Sequence, residues 1–456
     1  MLRRLLPLRS LALAGLILLW IGTGPSAHAA SPAIFEQVDE MMRSLSEITG
    51  WKVHHKVPAE IMGKEKFKKL VDAGEKEANG DKELRGEELA LKMFGFVPPD
   101  FNLARESADL VTEQAAAFYD YTKKRLFVLD STEDNAEQQL ALVHELAHAL
   151  ADQQYSLSKF MRHGSPDDEA SSARQAVMEG QASWLSWAYM SKRNGGKPEV
   201  PAQMLDRLAD GVGAEGAEFP VFTQAPLYVR ESLVFPYEAG MRFQDAVYRK
   251  LGKQAFDEIF RNPPRDTQQI MHPDLYLEML QPTSPALPAL DHLIGKEARN
   301  FRLLTEGNVG EFDLSVLLRQ YVGERQGADA ASHWRGGVFR IYEHKRDKYP
   351  VLTYAAEWDS PASARAYFEL YERVLRGKWK RMNVGAETET SVSGSGDTGE
   401  FQVSLDGGLV QSIEGLKPGL KVNASAQPGA PVAPHPDPSK EEIFSLWPSG
   451  KLAATN

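Results

Sequence analysis

Cysteine is absent from this chain of 456 residues. Its absence excludes disulfide bonds and every metal site built on thiolates, such as zinc fingers and zinc ribbons. A bound zinc ion would therefore need nitrogen and oxygen ligands, which His, Asp and Glu side chains supply.

Clustered basic residues are also scarce, and the formal net charge is −11. Proteins that bind nucleic acids or anionic lipids need grouped Lys and Arg side chains to neutralise phosphates. The acidic balance therefore predicts no nucleic-acid partner and no electrostatic attachment to a membrane surface.

Only one long apolar run is found, at residues 11–21. Arginines precede it and Ala27-His28-Ala29 follows it, which is the order of a secretory signal peptide with its cleavage site. A membrane anchor is the alternative, but the run is shorter than the roughly 20 residues that span a bilayer. We therefore expect residues 1–29 to be removed and the mature protein to be periplasmic or extracellular, without stable membrane insertion.

Local patterns predict a helical first part and a mixed second part. Residues 31 to about 112 have apolar residues at helical spacing, and residues 116–120 and 125–129 are typical of a β-hairpin. Three further helices are expected, from a cap at 131–135 to about 154, from a cap at 165–168 to beyond 187, and from near 236 to about 251.

The pattern changes again in the last quarter of the chain. From residue 337 onward the order strand, strand, helix, strand predicts a small α+β domain. Residues from about 421 are rich in Pro, Ala and Ser, so we expect a disordered tail there.

The segment from His144 to His148 has the pattern H-E-x-x-H. Residues four positions apart share one face of a helix, so the two imidazoles can reach the same cation. Glu145 projects beside them, where its carboxylate can act as a general base. Two histidines that only pack on an amphipathic helix are the alternative. The export signal, the hairpin upstream and the acidic helix downstream favour a metal site.

A catalytic zinc usually has three protein ligands and one open position. Asp152 and Tyr155 follow the motif where a third histidine at short spacing would stand, so we expect a carboxylate on the next helix. Glu169 and Glu179 are the two candidates. Glu179 lies among apolar residues, where an unpaired carboxylate is costly to bury, whereas the helix dipole alone favours Glu169 at a polar helix start. We therefore prefer Glu179.

Two neighbouring features have functional interpretations. Asp152, one turn after His148, could orient a metal-binding imidazole, or it could be a solvated helix acid. Either strand of the predicted hairpin could bind an extended peptide through main-chain hydrogen bonds, or the hairpin could simply cover the helix.

The H-E-x-x-H pattern with a later helical Glu resembles the gluzincins, the zinc peptidases of the thermolysin and aminopeptidase group. Residues 235–240 resemble the P-Y-E-K-G segment of the aminopeptidase type, except that Ala239 replaces the Lys. This resemblance implies that the Tyr237 hydroxyl stabilises the oxyanion of the tetrahedral intermediate. A core tyrosine with a satisfied hydroxyl is the alternative.

The chain resembles an incompletely characterised group of secreted bacterial H-E-x-x-H proteins more closely. The resemblance covers about residues 57–280, and its segments are residues 97–101, 113–120, 179–182 and 263–273. It supports Glu179 over Glu169 and implies no particular substrate. His272 in the last segment is a second candidate for stabilising the oxyanion, a role that thermolysin-like enzymes give to a histidine. A loop-capping histidine is the alternative.

The predicted fold class is α+β and mainly helical, with a zincin-like metallopeptidase core around a small sheet and a small C-terminal α+β domain. The expected divisions are a signal peptide at 1–29, a helical region at 30–112, the catalytic core at 113–280, a linker with a helical connection at 281–330, the α+β domain at 331–420 and the disordered tail at 421–456.

Together these features predict an exported zinc-dependent metallopeptidase that acts on a peptide or protein substrate. The chain lacks the G-x-M-E-N segment with which aminopeptidase-type gluzincins hold a substrate N-terminus, so endopeptidase action is favoured. The main alternative is a non-enzymatic, zinc-stabilised extracytoplasmic scaffold or binding protein. Glu145 argues against it, because a structural zinc site needs no general base. Hydrolysis of a non-peptide bond is a third possibility.

Overall fold

The computed structural model describes residues 37–420, except for 115, 131–135, 165–166 and 210–218. The predicted signal peptide, the predicted tail and parts of two predicted helix caps lie outside the described residues. The described chain is α+β and mainly helical, which confirms the coarse part of the predicted fold class. None of the helices described is both long enough and apolar enough to span a membrane.

The first part of the described chain is helical with one exception. Its helices are α1 (Val38–Thr49), α2 (Lys64–Gly80), α3 (Lys82–Phe94) and α4 (Leu103–Gln114). The exception is β1 (Ala59–Met62), which pairs in parallel with residues 126–129. The prediction that residues 31 to about 112 are helical is therefore wrong at β1, because so short a strand with a distant partner has no periodic pattern of its own.

A three-stranded sheet precedes the H-E-x-x-H helix. It has the order β1-β3-β2, with β2 (Ala117–Asp120) and β3 (Arg125–Leu129) antiparallel, which confirms the predicted hairpin. The Asp120 carboxylate accepts hydrogen bonds from the backbone N–H groups of Thr122 and Lys123 and so fixes the turn.

β2 forms one edge of this sheet. Leu129 donates its N–H to the carbonyl of Ala116, one residue outside the pair formed by Ala117 and Val128. In an antiparallel ladder this places Ala117 and Tyr119 at positions whose own N–H and C=O groups point away from β3. The backbone groups of these two residues therefore face away from β3, and all four residues of β2 are buried.

Three long helices occupy the middle of the chain. The helices of this part are α5 (Ala136–Tyr155), α6 (Leu157–Gly164), α7 (Asp168–Arg193), α8 (Ala202–Ala209), α9 (Pro220–Gln224) and α10 (Leu227–Leu251). α7 packs against both α5 and α10. It begins at an Asp167 cap, whose carboxylate accepts a hydrogen bond from the N–H of Ala170.

The predicted start of α10 near Pro236 is wrong. The helix begins at Leu227, and Pro236 lies inside it. Proline is common in the first turn of a helix because it lacks an N–H group, so its position was a plausible start signal. The residues before it nevertheless continue the helix, and α10 tolerates the missing hydrogen bond within a tightly packed region.

A run of short helices leads to the C-terminal part. They are α11 (Gln254–Arg261), α12 (Thr267–Met271), α13 (Pro273–Leu277), α14 (Leu290–Ile294) and a 3-10 helix (Gly295–Asn300). No helix or strand covers residues 281–289, at the start of the predicted linker, and α14 and the 3-10 helix follow this segment.

The C-terminal part is built on a seven-stranded antiparallel sheet with the order β4-β5-β6-β10-β9-β8-β7. Its elements are β4 (Phe301–Asn308), α15 (Glu311–Tyr321), α16 (Glu324–Ala331), β5 (Trp334–His344), β6 (Pro350–Trp358), α17 (Pro361–Lys378), β7 (Asn383–Thr388), β8 (Ser391–Gly396), β9 (Gly399–Asp406) and β10 (Leu409–Leu416). The predicted strand, strand, helix and strand correspond to β5, β6, α17 and β9, and they are confirmed.

Two large hydrophobic clusters organise these elements. One combines α3 and α4, the first half of α10 and the C-terminal sheet with α15 and α17. The other gathers α1, β2, β3, α5, α7, the second half of α10 and α11. The H-E-x-x-H helix lies in the second cluster, so its side chains are fixed by packing on several sides.

Candidate metal centre

The H-E-x-x-H residues lie on a buried segment of α5. Leu142, Val143, Leu146 and Ala147 are buried there, so the helix is enclosed on more than one face. His144 and His148 lie one turn apart, and their Nε2 atoms are 3.1 Å from each other. The helix thus holds both imidazoles toward one point, as the spacing predicts.

Glu179 joins the two histidines from α7. Its Oε2 atom lies 3.1 Å from Nε2 of His144 and 3.3 Å from Nε2 of His148. All three residues are buried. Among the described residues, they form the only group of three His, Cys, Asp or Glu side chains whose ligand atoms lie within 4.8 Å of one another.

The spacing of these three atoms fits a zinc ion. Ligands arranged tetrahedrally at about 2.0–2.1 Å from zinc lie about 3.3–3.4 Å from one another. The observed separations of 3.1 and 3.3 Å are close to that value. Two imidazole nitrogens and one carboxylate oxygen are also the ligand set of many catalytic zinc sites, whereas magnesium and calcium prefer oxygen alone.

The charges of the group favour an ionised carboxylate. Burial alone would raise the pKa of Glu179, but the charge of His148 and the hydrogen bonds of both histidines outweigh it and hold this pKa at about 2. Burial lowers the pKa of His144. Burial opposes a charge on His148, but the charge and hydrogen bond of Glu179, together with the charges of Glu145 and Asp152, raise the pKa of His148. Glu179 is therefore ionised at neutral pH.

Glu145 lies beside the group, and its partner comes from the edge strand. Its Oε2 atom accepts a hydrogen bond of 2.6 Å from the backbone N–H of Tyr119, on the side of β2 that faces away from β3. The Tyr119 hydroxyl donates to Asp152, which also pairs with Lys124 at 2.6 Å. Tyr119 thus connects the predicted general base to the acid that follows His148 by one turn.

Tyr119 is the residue that the sequence analysis missed. Its link to Glu145 uses a backbone N–H group, which has no side-chain signature in a sequence. The only available signal was the hairpin directly upstream of α5, which indicated a strand near the motif and not the atom involved.

The two candidates for stabilising an oxyanion differ in position. The ring of Tyr237 lies 5.9 Å from the ring of His144, centroid to centroid, with a tilt of 29°. His272 instead pairs with Glu311 at 2.7 Å, and this hydrogen bond raises the pKa of His272. The structure therefore brings Tyr237 to the metal centre, while the contacts found for His272 lie with α15.

Glu169 is separate from the metal centre. It lies ten residues before Glu179 on α7, about 15 Å along a helix that rises about 1.5 Å per residue. Its Oε2 atom accepts hydrogen bonds from the backbone N–H and the hydroxyl of Thr267. Burial and the nearby charge of Asp313 raise the pKa of Glu169 to about 8.

Replacing Glu169 with Gln is expected to stabilise the protein at pH 8 and to have little effect at pH 4. The carboxyl keeps its proton in the folded state but releases it on unfolding above about pH 4.5, so the wild type loses stability between pH 4.5 and 8. The raised pKa fixes the sign of the effect: the variant gains stability relative to the wild type as the pH rises above about 4.5. Urea unfolding at both pH values measures it. Equal differences at the two pH values would contradict this expectation.

The comparisons with known proteins concern the C-terminal part. Residues 300–420 match a family described only as a domain of unknown function, DUF8575. The matched segment contains the seven-stranded sheet but none of the three residues of the metal centre. No curated protein and no solved structure matches the chain. The chemistry of the metal centre therefore has to be argued from its own residues.

Proposed function

We propose that this protein is an exported zinc-dependent metallopeptidase with a zincin-like core, and that Glu145 is its general base. The observation that supports the proposal most strongly is the meeting of His144, His148 and Glu179 at zinc-ligand distances, with Glu145 on the same helix as both histidines. A structural zinc site needs no such base, which favours the peptidase over a zinc-stabilised scaffold.

The described residues have distinct tasks in this mechanism. Zinc, when bound, would acidify a water molecule and polarise the scissile carbonyl group. Glu145 takes the proton from the attacking water and passes it to the leaving amine. The N–H of Tyr119 orients the Glu145 carboxylate for both transfers. Tyr237, beside His144, donates a hydrogen bond to the oxyanion that develops on the substrate.

The proposed substrate is a peptide or protein. All four residues of β2 are buried, and the N–H of Tyr119 is bonded to Glu145, so peptide pairing with this strand is not part of the proposal. The sequence has no G-x-M-E-N segment to hold a substrate N-terminus, which favours cleavage within a chain.

Removal of the metal is the first test. We expect the purified protein to contain about one zinc per chain, to cleave casein, to lose this activity on treatment with 1,10-phenanthroline and to regain it when zinc is added back. Metal analysis and release of peptides measure both quantities. Zinc bound without hydrolysis of any protein or peptide offered would support the scaffold, and metal-free, fully active protein would exclude the proposed mechanism.

A further inference from the structure

The closest approach of α7 and α10 lies at two glycines. A Cβ atom added to Gly180 would be 2.5 Å from Cα of Gly240 and nearer still to its carbonyl group. A Cβ atom on Gly240 would be 3.0 Å from Cα of Gly180 and would collide with the carbonyl oxygen of Ala176. Normal contacts between a carbon and a carbonyl oxygen are about 3.3–3.6 Å. The two backbones therefore touch in a way that only glycine permits.

Gly180 stands next to a residue of the metal centre, and Gly240 stands near the proposed oxyanion donor. Gly180 directly follows Glu179, and Gly240 lies one turn after Tyr237, on the same side of α10. The three metal-centre residues belong to α5 and α7, whereas Tyr237 belongs to α10. The distance between α7 and α10 therefore decides how close the Tyr237 ring comes to His144.

We infer that Gly180 and Gly240 are positioning residues for Tyr237, an inference that rests on the proposed function. Their contact brings α10 close enough to α7 for the phenol to reach the reacting carbonyl group. Glycine is among the least favourable residues in a helix interior. Two glycines that face each other where α7 and α10 cross therefore indicate that these helices need to be close together. A separation of about 1 Å at a catalytic group can cost about 100-fold in rate.

The first experiment replaces Gly240 with Ala. The added methyl group forces α10 away from α7 and draws Tyr237 back, while His144, His148 and Glu179 remain in place on α5 and α7. We expect kcat for peptide hydrolysis to fall about 10- to 100-fold. Zinc content should stay at the wild-type level, because α10 contributes none of the three residues of the metal centre.

A double variant separates positioning from general damage. If Gly240 acts through Tyr237, Gly240→Ala should have almost no further effect on kcat in protein that already carries Tyr237→Phe. Multiplied losses in the double variant would show that the glycine acts by another route and would overturn the inference.

A measurement on metal-free protein is independent of activity. Stacking of Tyr237 near the His144 ring shifts the NMR signals of labelled histidine, and His144→Gln identifies the signal concerned. Tyr237→Leu should move this signal, and Gly240→Ala should move it in the same direction. The comparison of wild type with Tyr237→Leu leaves both glycines at the contact of α7 and α10 unchanged. An unchanged His144 signal in Tyr237→Leu would therefore overturn the inference even if Gly240→Ala did not fold.

Gly327→Ala is the matched control. Gly327 on α16 also faces a neighbouring backbone, since its Cβ would lie 2.5 Å from the amide nitrogen of Arg319, but it belongs to the C-terminal part. It should lower stability without changing kcat or the His144 signal. A loss of kcat as large as that of Gly240→Ala would show that any tight helix contact has this effect. If the wild type has no hydrolytic activity, the NMR comparison still decides the positioning role.

Discussion

Glu145→Gln is expected to reduce peptide hydrolysis by about 10³-fold, because a general base typically contributes about 10²- to 10⁴-fold to the rate. The amide has the shape of the carboxylate, and its oxygen can still accept the hydrogen bond from Tyr119. It cannot accept a proton from water. Zinc content should not change, since Glu145 is not one of the three residues of the metal centre.

Initial rates on a fluorogenic peptide and metal analysis of the same preparation check this expectation. Glu169→Gln is the matched control, since it also converts a buried Glu into an amide but lies about 15 Å along α7 from the site. It should retain wild-type activity. A Glu145→Gln protein that hydrolyses peptides at the wild-type rate would remove the basis of the proposed mechanism.

Glu179→Gln should weaken zinc binding by more than about 100-fold. Loss of a residue that only hydrogen-bonds to a zinc ligand typically costs up to about 100-fold in affinity, and loss of a ligand should cost more. The change removes the one anionic ligand, whose carboxylate lies 3.1 and 3.3 Å from the two imidazoles. A neutral amide oxygen is a much poorer zinc ligand. Zinc that binds only the folded state stabilises it by an amount that grows with the logarithm of its affinity, so the rise in Tm on adding zinc should be smaller in this variant than in the wild type.

Competition with a chelating dye and thermal melts with and without zinc measure the two effects. Glu169→Gln again provides the comparison, and it decides between the two carboxylates that the sequence left open. It should bind zinc like the wild type. Loss of zinc from Glu169→Gln together with retention by Glu179→Gln would reverse the assignment of the third ligand.

The elements with a strong local pattern were predictable from the sequence. The hairpin at β2 and β3 and the helix α5 have their own periodicity, and α17 with its neighbouring strands does too. β1 was not predictable, since four residues pair with a strand far along the chain. The early start of α10 was hidden by Pro236, whose usual meaning is overridden by tertiary packing.

The metal centre could be predicted in part for a similar reason. The spacing of His144 and His148 and the apolar surroundings of Glu179 are local properties, and both pointed to the observed group. Glu169 lies at a helix start, as predicted, but its burial could not be predicted from the neighbouring residues. It is buried against the backbone of Gly310, which is far away in the sequence. The residues around position 169 give no sign of this contact.

The larger hydrophobic cluster shows that the C-terminal sheet also covers apolar side chains of the N-terminal and middle helices. Apolar side chains from α3, α4 and α10 are covered by that sheet and its helices, so residues 300–420 are one wall of a shared interior. Cutting the chain before residue 300 would expose the apolar side chains of this shared interior to water on both fragments. A relative that keeps the histidine-bearing helix and lacks the sheet must therefore shield the same side chains with some other structure.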